Sequence, residues 1–453
     1  MDGDRIQRED LEKLGAALKE EAADLPAVLK QAHPHDIVEV WEELSPARRM
    51  EVVKVLPAEM AADVLSDLPL GKQVEVLEEL PDETVGPLLN AFDPDDLVDV
   101  LQHVEEQTPE KVEAFKSSLT PGMRAAAESL SRYHEEEAGG IMTPEFVSVR
   151  SSMTVGEVIQ FLRRATPEAE TVYTIFVEDE AGRLAGVISM RDLIIAPENR
   201  RVAEIMKTDV VRVTTRADQE DVARLMADYD LTALPVVDDT KRLVGIVTVD
   251  DIIDVMESEA TEDIHRLGAA PVDIDYPRSG PFFMFRKRLP WLGFLVVSMT
   301  LTFNVIAFYE DLLAEVVILA AFIPLLIDTG GNVGSQAATL VVRSLATQDL
   351  GLRDYWRVLV KEIGTGLMLG VGLAVLVFLF VLVLRGEQVI ALAISITMVL
   401  IVMVANLLGA GLPFLFRKIG VDPALTSSPI ITTVMDVVGL LIYFQVVMQV
   451  LGW

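Results

Sequence analysis

The chain has 453 residues, no cysteine and a formal net charge of −32. The length allows several domains, and the lack of cysteine excludes disulfides, iron–sulfur clusters and thiolate zinc sites. From residue 281 onward the chain carries ten basic and ten acidic side chains, so the excess negative charge lies in residues 1–280. Such an acidic half disfavours nucleic acid or an anionic membrane surface as its partner and favours cations.

The start of the chain indicates where this acidic half resides. Residues 1–8 are polar and charged, and they contain no apolar segment that could serve as a signal peptide. All 5 histidines precede residue 270, so the C-terminal half lacks the usual ligands of soft transition metals. We therefore predict that the N-terminal half is cytoplasmic.

Residues 32–94 contain an internal repeat with a period of 12 residues. Several of the recurring apolar residues directly precede a proline, as in Leu56-Pro57 and Leu80-Pro81. Proline is tolerated in the first turn of a helix and disfavours helix in the residue before it, so each repeat predicts a short helix and a corner. Such units bury their apolar faces by stacking, which predicts an acidic α-superhelical domain at 1–132. The recurring residues are Leu44, Leu56, Leu68, Leu80 and Phe92.

Residues 138–256 contain two copies of one strand–helix–strand–strand pattern. The first opens at Gly140-Ile141-Met142 and the second at Glu204-Ile205-Met206. We predict first strands at 146–149 and 210–213 and helices at 155–164 and 220–229. This duplicated order resembles a tandem pair of cystathionine-β-synthase (CBS) domains, at 133–200 and 201–256.

The CBS resemblance implies a regulatory module whose cleft can hold an adenine nucleotide. Arg191 and Asp192 match nucleotide-binding positions of such domains. Thr174 and Leu231 stand where related members use aromatic rings to hold adenine, so tight binding of ATP is not expected.

A helix from Val249 to about Leu267 and its linker form an acidic segment at 250–280. Between 249 and 263 the helix has seven acidic residues and no basic one. Like charges four residues apart, as at Asp250 and Asp254, repel each other on a helix unless cations lie between them.

Residues 281–453 divide into five apolar runs, at about 289–309, 312–343, 363–384, 389–416 and 424–451. Each run is long enough to cross a bilayer. Basic residues cluster on one side, at Arg286 to Arg288, then between Arg343 and Lys361, and at Arg417 and Lys418. The positive-inside rule therefore predicts a cytoplasmic N-terminus and a C-terminus outside the cell.

Two features of these runs indicate a functional site within the membrane. Asp436 is the single formal charge between 425 and 451, and a carboxylate at membrane depth normally faces a pathway or a partner. We also expect Pro324 and the glycines near Asn332 to break the second run around a conduction element, with packing glycines as the alternative. The alternative for Asp436 is a structural bond to a neighbouring helix.

Asp422 precedes the last run in a Gly-Val-Asp-Pro loop. Two interpretations of Asp422 are open. Its carboxylate lies at the inner mouth of a pore, or its side chain is an ordinary helix N-cap.

The chain resembles the MgtE family of magnesium channels over nearly its full length. The resemblance is carried by residues 330–336, 338–340, 421–425, Asp436 and 260–264. It implies a homodimer in the cell membrane with a pore on the two-fold axis, lined by the second and fifth spans, in which Asp436 of both subunits holds a hydrated Mg²⁺. The implied pore residues are Asp436, Asp328, Gly330, Gly331, Asn332, Gln336, Ser428 and Thr432.

The same resemblance implies that intracellular Mg²⁺ binds between acidic surfaces and shuts the pore through the linking (plug) helix. The implied regulatory residues are Asp63, Asp95, Asp218, Glu220, Asp230, Asp251, Asp254, Glu259, Glu262, Asp263 and Asp422. Asp328 and Ser428 depart from the usual family residues, glycine and asparagine, and bear on ion selectivity.

The predicted fold is multidomain, with an α-superhelical N-terminal domain, α/β tandem CBS domains and an all-α transmembrane domain of five helices. The predicted function is a Mg²⁺-selective uptake channel. The alternatives are an ion-coupled secondary transporter of divalent cations and a membrane-anchored, nucleotide-sensing CBS protein. No catalytic triad, phosphate loop or zinc signature is present in the sequence, so we do not predict an enzyme.

Overall fold

The structure is a computed structural model that describes residues 11, 14–19, 25–30, 32–165, 171–272, 274, 276, 279–425 and 428–452. It contains two compact units, Met1–Glu257 and Ser258–Trp453. Residues 1–8, where the sequence shows no signal peptide, lie outside the described residues, as do Thr426 and Ser427.

The first unit begins with a stack of short helices. Ser45 caps one of them by accepting the amide of Arg48 at 3.3 Å, with Pro46 in its first turn. The recurring apolar residues are all buried in one core, which confirms the predicted α-superhelix. The helices are α1 (Leu25–Leu29), α2 (Pro34–Val40), α3 (Pro46–Val55), α4 (Ala58–Ser66), α5 (Leu70–Glu79), α6 (Asp82–Leu89), α7 (Pro94–Gln107), α8 (Pro109–Ser118) and α9 (Pro121–Leu130).

Two three-stranded sheets follow, one in each repeat. In each sheet the first strand is parallel to the second, which is antiparallel to the third. The elements of the first repeat are β1 (Ser148–Arg150), α10 (Val155–Ala165), β2 (Thr174–Glu178), β3 (Leu184–Ser189) and α11 (Met190–Ile195). Those of the second are α12 (Val202–Ile205), β4 (Val213–Thr214), α13 (Gln219–Asp228), β5 (Ala233–Val237) and β6 (Leu243–Thr248).

The two first strands begin later than predicted. β4 starts at Val213 rather than at residue 210, and β1 starts at Ser148 rather than at residue 146. A strand extends only as far as its partner can pair with it, and β4 pairs at two positions, Val213 with Val236 and Thr214 with Val237. That limit is a tertiary property, which local sequence does not reveal.

The opening methionine of each repeat packs on the other repeat. A side-chain carbon at Gly245 in β6 would lie 2.6 Å from the sulfur of Met142, and one at Gly186 in β3 would lie 2.6 Å from that of Met206. The duplicated Ile-Met motif therefore joins the two CBS repeats, and each glycine is needed for the close approach.

The linking helix α14 (Val249–Leu267) has the bounds that the sequence predicts. Among the described residues after it, five helical segments are long and apolar enough to cross a membrane, as predicted. They contain α15 (Pro281–Phe308), α17 (Ile323–Ala346), α18 (Tyr355–Arg385), α19 (Gln388–Lys418) and α20 (Ser428–Leu451), and the short helix α16 (Glu310–Glu315) follows α15.

The predicted break at the glycine-rich motif is wrong. Helix α17 runs without interruption from Ile323 to Ala346, and the irregular segment is a 3₁₀ turn before it, at Val317–Phe322. Pro324 lies in the first turn of α17, where proline removes no hydrogen bond.

The glycines of α17 serve close helix packing instead. A side-chain carbon at Gly330 would lie 2.8 Å from Cγ2 of Ile401 in α19, and one at Gly334 would lie 2.7 Å from Cγ2 of Ile431 in α20. Small residues at such positions let helix backbones approach within the membrane. The packing alternative is therefore the correct one for these glycines.

Candidate functional site

A polar stripe runs along one exposed face of α17. Asp328, Asn332, Gln336 and Thr339 recur at helical spacing, and all four are exposed. The side-chain amide of Asn332 donates to Oδ2 of Asp328 at 3.2 Å, which orients that carboxylate. The stripe therefore presents a negative charge on a helix whose buried faces are apolar.

The first two turns of α20 continue this polar surface. Ser428, Thr432 and Asp436 lie at successive i, i+4 positions, and Oγ of Ser428 is 2.9 Å from Oγ of Ser335 in α17. The charges of Asp328 and Asp436 are close enough to interact. The two helices thus bring two carboxylates, two amides and several hydroxyls to one region.

Gly330 and Gly331 do not line this surface. Both are buried, and a side-chain carbon at Gly331 would meet the side chain of Thr432 at 3.1 Å. These two predicted pore residues set the distance between α17 and α20. The oxygen atoms that could contact a cation belong to neighbouring residues such as Asp328, Asn332 and Thr432.

The polar surface has the composition of a site for a hard, hydrated cation. Carboxylate, amide and hydroxyl oxygens are the ligands that Mg²⁺ prefers, and Mg²⁺ usually keeps several of its waters. Among the described residues, no group of three or more His, Cys, Asp or Glu side chains could hold a metal ion directly.

A second cluster lies in the loop before α20, at Asp422. Oδ1 of Asp422 accepts the amide of Ala424 at 2.7 Å, and Oδ2 accepts the guanidinium of Arg266, near the end of α14. Arg266 also pairs with Glu262 one turn earlier. Asp422 therefore caps a turn and also holds the end of the linking helix. Its place at the inner mouth of a pore stays a prediction.

Asp263 lies next to this contact. Burial raises the pKa of its carboxyl, and the charges of Arg266 and Arg343 oppose that rise. The end of α14 thus brings together three carboxylates, at 262, 263 and 422, and the positive charges of Arg266 and Arg343.

An acidic surface is formed where α7 faces the start of α14. Oδ1 of Asp95 is buried and has no hydrogen-bond partner among the described residues. Burial, then the charge of Asp251, raises the pKa of Asp95 well above its usual value. Burial also raises the pKa of Asp251 to about 6, against a hydrogen bond from Thr248.

Further carboxylates surround this pair. Burial and the charge of Asp254 raise the pKa of Asp96, while a hydrogen bond with Ser66 lowers it. Burial and the charge of Asp67 likewise raise the pKa of Asp63 and of Asp254. A divalent cation bound among these carboxylates would supply positive charge that favours their ionised form.

The remaining predicted regulatory residues lie elsewhere. Asp218 caps α13 by accepting the amide of Glu220 at 2.9 Å, and Asp230 has a left-handed backbone with φ of 51°. Glu259 lies on α14, between the acidic surface at Asp251 and the contact at Asp422.

The CBS cleft offers limited support for an adenine nucleotide. Asp192 accepts the hydroxyl of Ser189 at 2.7 Å at the start of α11, and Arg191 beside it is exposed. Thr174 and Leu231 are partly buried and carry no ring for stacking on adenine.

Sequence reasoning missed Arg266 and Ser335. Arg266 is four residues after Glu262, a spacing that indicates an ion pair on a helix, but its bond to Asp422 joins residues 156 apart in sequence. Ser335 belongs to the glycine-rich segment 330–336, and only its distance of 2.9 Å to Ser428 identifies it as a helix contact.

Comparisons with known proteins agree with this architecture. The MgtE family model, described as a divalent cation transporter, matches residues 323–446. The model of the MgtE intracellular N domain matches residues 32–136, and that of the CBS domain matches residues 138–199 and 202–258.

Two relatives cover almost the whole chain. The magnesium transporter MgtE of Thermus thermophilus is 49% identical over 441 residues, which is 96% of this chain and 98% of that protein. The magnesium transporter MgtE of Bacillus subtilis is 31% identical over 423 residues, 93% of each chain.

Two solved structures resemble the N-terminal half. One is the cytosolic domain of the Mg²⁺ channel MgtE in complex with ATP, with 53% identity and a TM-score of 0.50, covering 51% of this chain and 93% of that chain. The other is the soluble part of a magnesium transporter, with 31% identity and a TM-score of 0.51, covering 56% of this chain and 99% of that one.

These similarities extend across every predicted domain. They confirm the resemblance and the multidomain fold, and together with the five apolar helices they make the chain a multi-pass membrane protein. The matched family and the relatives are transporters, which confirms the prediction that the chain is not an enzyme. The chain belongs to the MgtE family of divalent cation transporters.

Proposed function

We propose that the protein is a Mg²⁺ channel for magnesium uptake, closed by intracellular Mg²⁺. The observation that carries the proposal is the polar surface at Asp328 and Asp436 on two helices of the membrane unit. The relatives that cover nearly the whole chain are named magnesium transporters, which supports Mg²⁺ as the cargo.

The channel is a homodimer with the polar surfaces of both copies facing each other. Asn332 and Gln336 are exposed on the single chain, and lipid offers such groups no hydrogen bonds. A second copy related by a two-fold axis encloses them around water. Asp436 then contributes one carboxylate from each copy and holds Mg²⁺ through its waters.

The acidic surface at Asp95 and Asp251 is the sensor. At high intracellular Mg²⁺ the cation neutralises these carboxylates and favours the compact arrangement, in which α14 closes the pore. At low Mg²⁺ the charges repel, and the population shifts to the open state. Glu259, Glu262, Asp263 and Asp422 extend the same control to the mouth of the pore, and Asp218, Glu220 and Asp230 extend it into the CBS repeats.

The N-terminal half and the basic ends of the spans lie in the cytoplasm, and the C-terminus lies outside the cell. This orientation follows from the basic residues at 286–288, 353–361 and 417–418. ATP binds weakly at Arg191 and Asp192, because neither Thr174 nor Leu231 can stack on adenine.

Uptake into liposomes tests the pathway. The full-length protein is reconstituted with a Mg²⁺-sensitive dye inside, and wild type is compared with Asp436→Asn and with Asp311→Asn, an exposed carboxylate on α16. We expect Asp436→Asn to abolish uptake and Asp311→Asn to retain it. Normal uptake by Asp436→Asn protein that has inserted would refute the pathway.

Coupling distinguishes the channel from its alternatives. Uptake that follows only the Mg²⁺ gradient and the membrane potential indicates a channel. Uptake that requires a proton or sodium gradient indicates a secondary transporter, for which buried polar sites are also common. No uptake under any gradient would favour a membrane-anchored nucleotide sensor.

A further inference from the structure

The connection between α17 and α18 forms a rigid elbow at one end of the membrane unit. The guanidinium of Arg417 donates to the carbonyl oxygens of Leu345 at 3.0 Å and of Leu350 at 3.3 Å. The carboxylate of Asp354 accepts the amide of Gly351 at 3.0 Å, and the ring of Tyr355 packs edge-on against Phe414 at 5.5 Å between centroids. These bonds fix one face of the elbow against α19.

The opposite face carries cations and apolar side chains in alternation. Its residues recur every three or four positions and therefore share one side of the helical turn. Trp356 is 73% exposed and Val360 is 68% exposed, and the cationic residues are exposed as well. We call this face the basic elbow, and its residues are Leu352, Arg353, Trp356, Arg357, Val360 and Lys361.

The charge environment of the basic elbow differs from that of Arg266. Arg353 and Arg357 form no ion pair with any residue that the structure describes. The charge of Lys361 acts on Glu362, its neighbour in sequence. Arg266, by contrast, is neutralised by Glu262 and Asp422.

The position of the elbow identifies what can neutralise these cations. Leu352–Val383 is one of the candidate membrane spans, so the basic elbow lies where a span enters the bilayer. Tryptophan is enriched at that level, and a guanidinium binds phosphate through two parallel hydrogen bonds. Exposed Leu352 and Val360 suit contact with acyl chains beside the head group.

We propose that the basic elbow is a binding surface for the head group of an anionic phospholipid. Arg353 and Arg357 bind the phosphate, Lys361 adds charge, and Trp356 packs against the glycerol and upper acyl region. The proposal depends on the membrane spans and not on ion conduction, so it can fail or hold independently of the channel function.

Lipid retention tests the proposal. The full-length protein is reconstituted in bilayers of phosphatidylcholine with phosphatidylglycerol and extracted into mild detergent, and the retained lipids are measured by native mass spectrometry. Wild type is compared with Arg353→Gln/Arg357→Gln and with Arg286→Gln/Arg288→Gln, which removes the same charge from exposed residues of α15.

We expect the elbow variant to lower the retained ratio of phosphatidylglycerol to phosphatidylcholine roughly 25-fold, since each of the two substituted residues contributes about a fivefold preference at an anionic surface. The α15 variant should keep the wild-type ratio. Equal ratios in all three proteins, or equal losses in both variants, would overturn the proposal.

A cysteine placed on the elbow tests whether another protein copy covers it. The natural chain contains no cysteine, so Val360→Cys introduces a unique thiol. We expect reaction with a lipid-soluble maleimide and no disulfide between copies. Rapid formation of a disulfide dimer would assign the surface to a second copy and contradict lipid binding.

Discussion

The backbone of Gly409 in α19 packs directly on the backbone of Gly334 in α17. A side-chain carbon at Gly409 would clash with the carbonyl oxygen of Gly334. This contact places α17 against α19, while Gly331 places it against Thr432 of α20. The polar surface at Asp328 and Asp436 thus depends on residues that carry no functional group.

Gly409→Ala should destabilise the membrane unit by about 1–3 kcal/mol, because the methyl group has no space without movement of a backbone. The measurement is thermal stability in detergent by size-exclusion chromatography. Gly411→Ala is the matched control, because its methyl group would meet only Leu359 at 3.9 Å. Equal stability of the two variants would contradict this packing.

Asp328→Asn should lower the apparent affinity for Mg²⁺ in uptake roughly fivefold. A unit charge near a second carboxylate contributes about 1 kcal/mol of attraction for a cation in a hydrated site. The half-saturating Mg²⁺ concentration of liposome uptake provides the measurement, with Asp311→Asn as the control. An unchanged value for Asp328→Asn would remove this carboxylate from the pathway.

Arg266→Gln should weaken the proposed closure by Mg²⁺. The substitution removes the charge that holds α14 to Asp422, so more Mg²⁺ is needed to close the pore, by roughly 10- to 100-fold for a charged hydrogen bond. Arg266→Lys should restore part of the wild-type response. The control is Arg163→Gln, which alters an exposed cation on α10 and should leave the response to Mg²⁺ unchanged. A wild-type response in Arg266→Gln would exclude the contact between Arg266 and Asp422 from gating.

The metal-free N-terminal half should lose stability as the pH rises. The pKa of Asp251 is raised to about 6, so the folded state binds a proton more tightly than the unfolded chain. That contribution is fully present below about pH 4 and is lost as the pH rises through about 6, to a limit of about 3 kcal/mol.

Thermal unfolding of residues 1–267 provides the measurement for this pH effect. The melting temperature should fall by several degrees between pH 5 and pH 7 without metal, and Mg²⁺ should restore it at pH 7. Asp251→Asn should reduce both the pH effect and the Mg²⁺ effect. A melting temperature independent of pH and of Mg²⁺ would contradict the assignment of this acidic surface.

The fold was largely predictable from the sequence because its signals are local. Proline after each recurring leucine marks the corners of the superhelix, and uncharged runs mark the spans. The glycine motif was misinterpreted because glycine and Pro324 indicate a break by propensity, whereas the helix is held by tertiary contacts with Ile401 and Ile431.

The candidate site was predictable only in part. Asp436 is conspicuous as a lone charge, but the roles of Arg266 and Ser335 depend on partners 156 and 93 residues away. Contacts at such separations follow from helix packing, which no local pattern encodes.

Recording from inside-out membrane patches that contain the full-length protein tests the central claim most directly. Mg²⁺ is titrated on the side facing the acidic half, with wild type beside a chain lacking residues 1–267. We predict Mg²⁺ currents that close as Mg²⁺ rises in wild type and stay open in the truncated chain. Currents that are unaffected by Mg²⁺ in wild type, or that close equally in both proteins, would contradict an acidic cytoplasmic sensor.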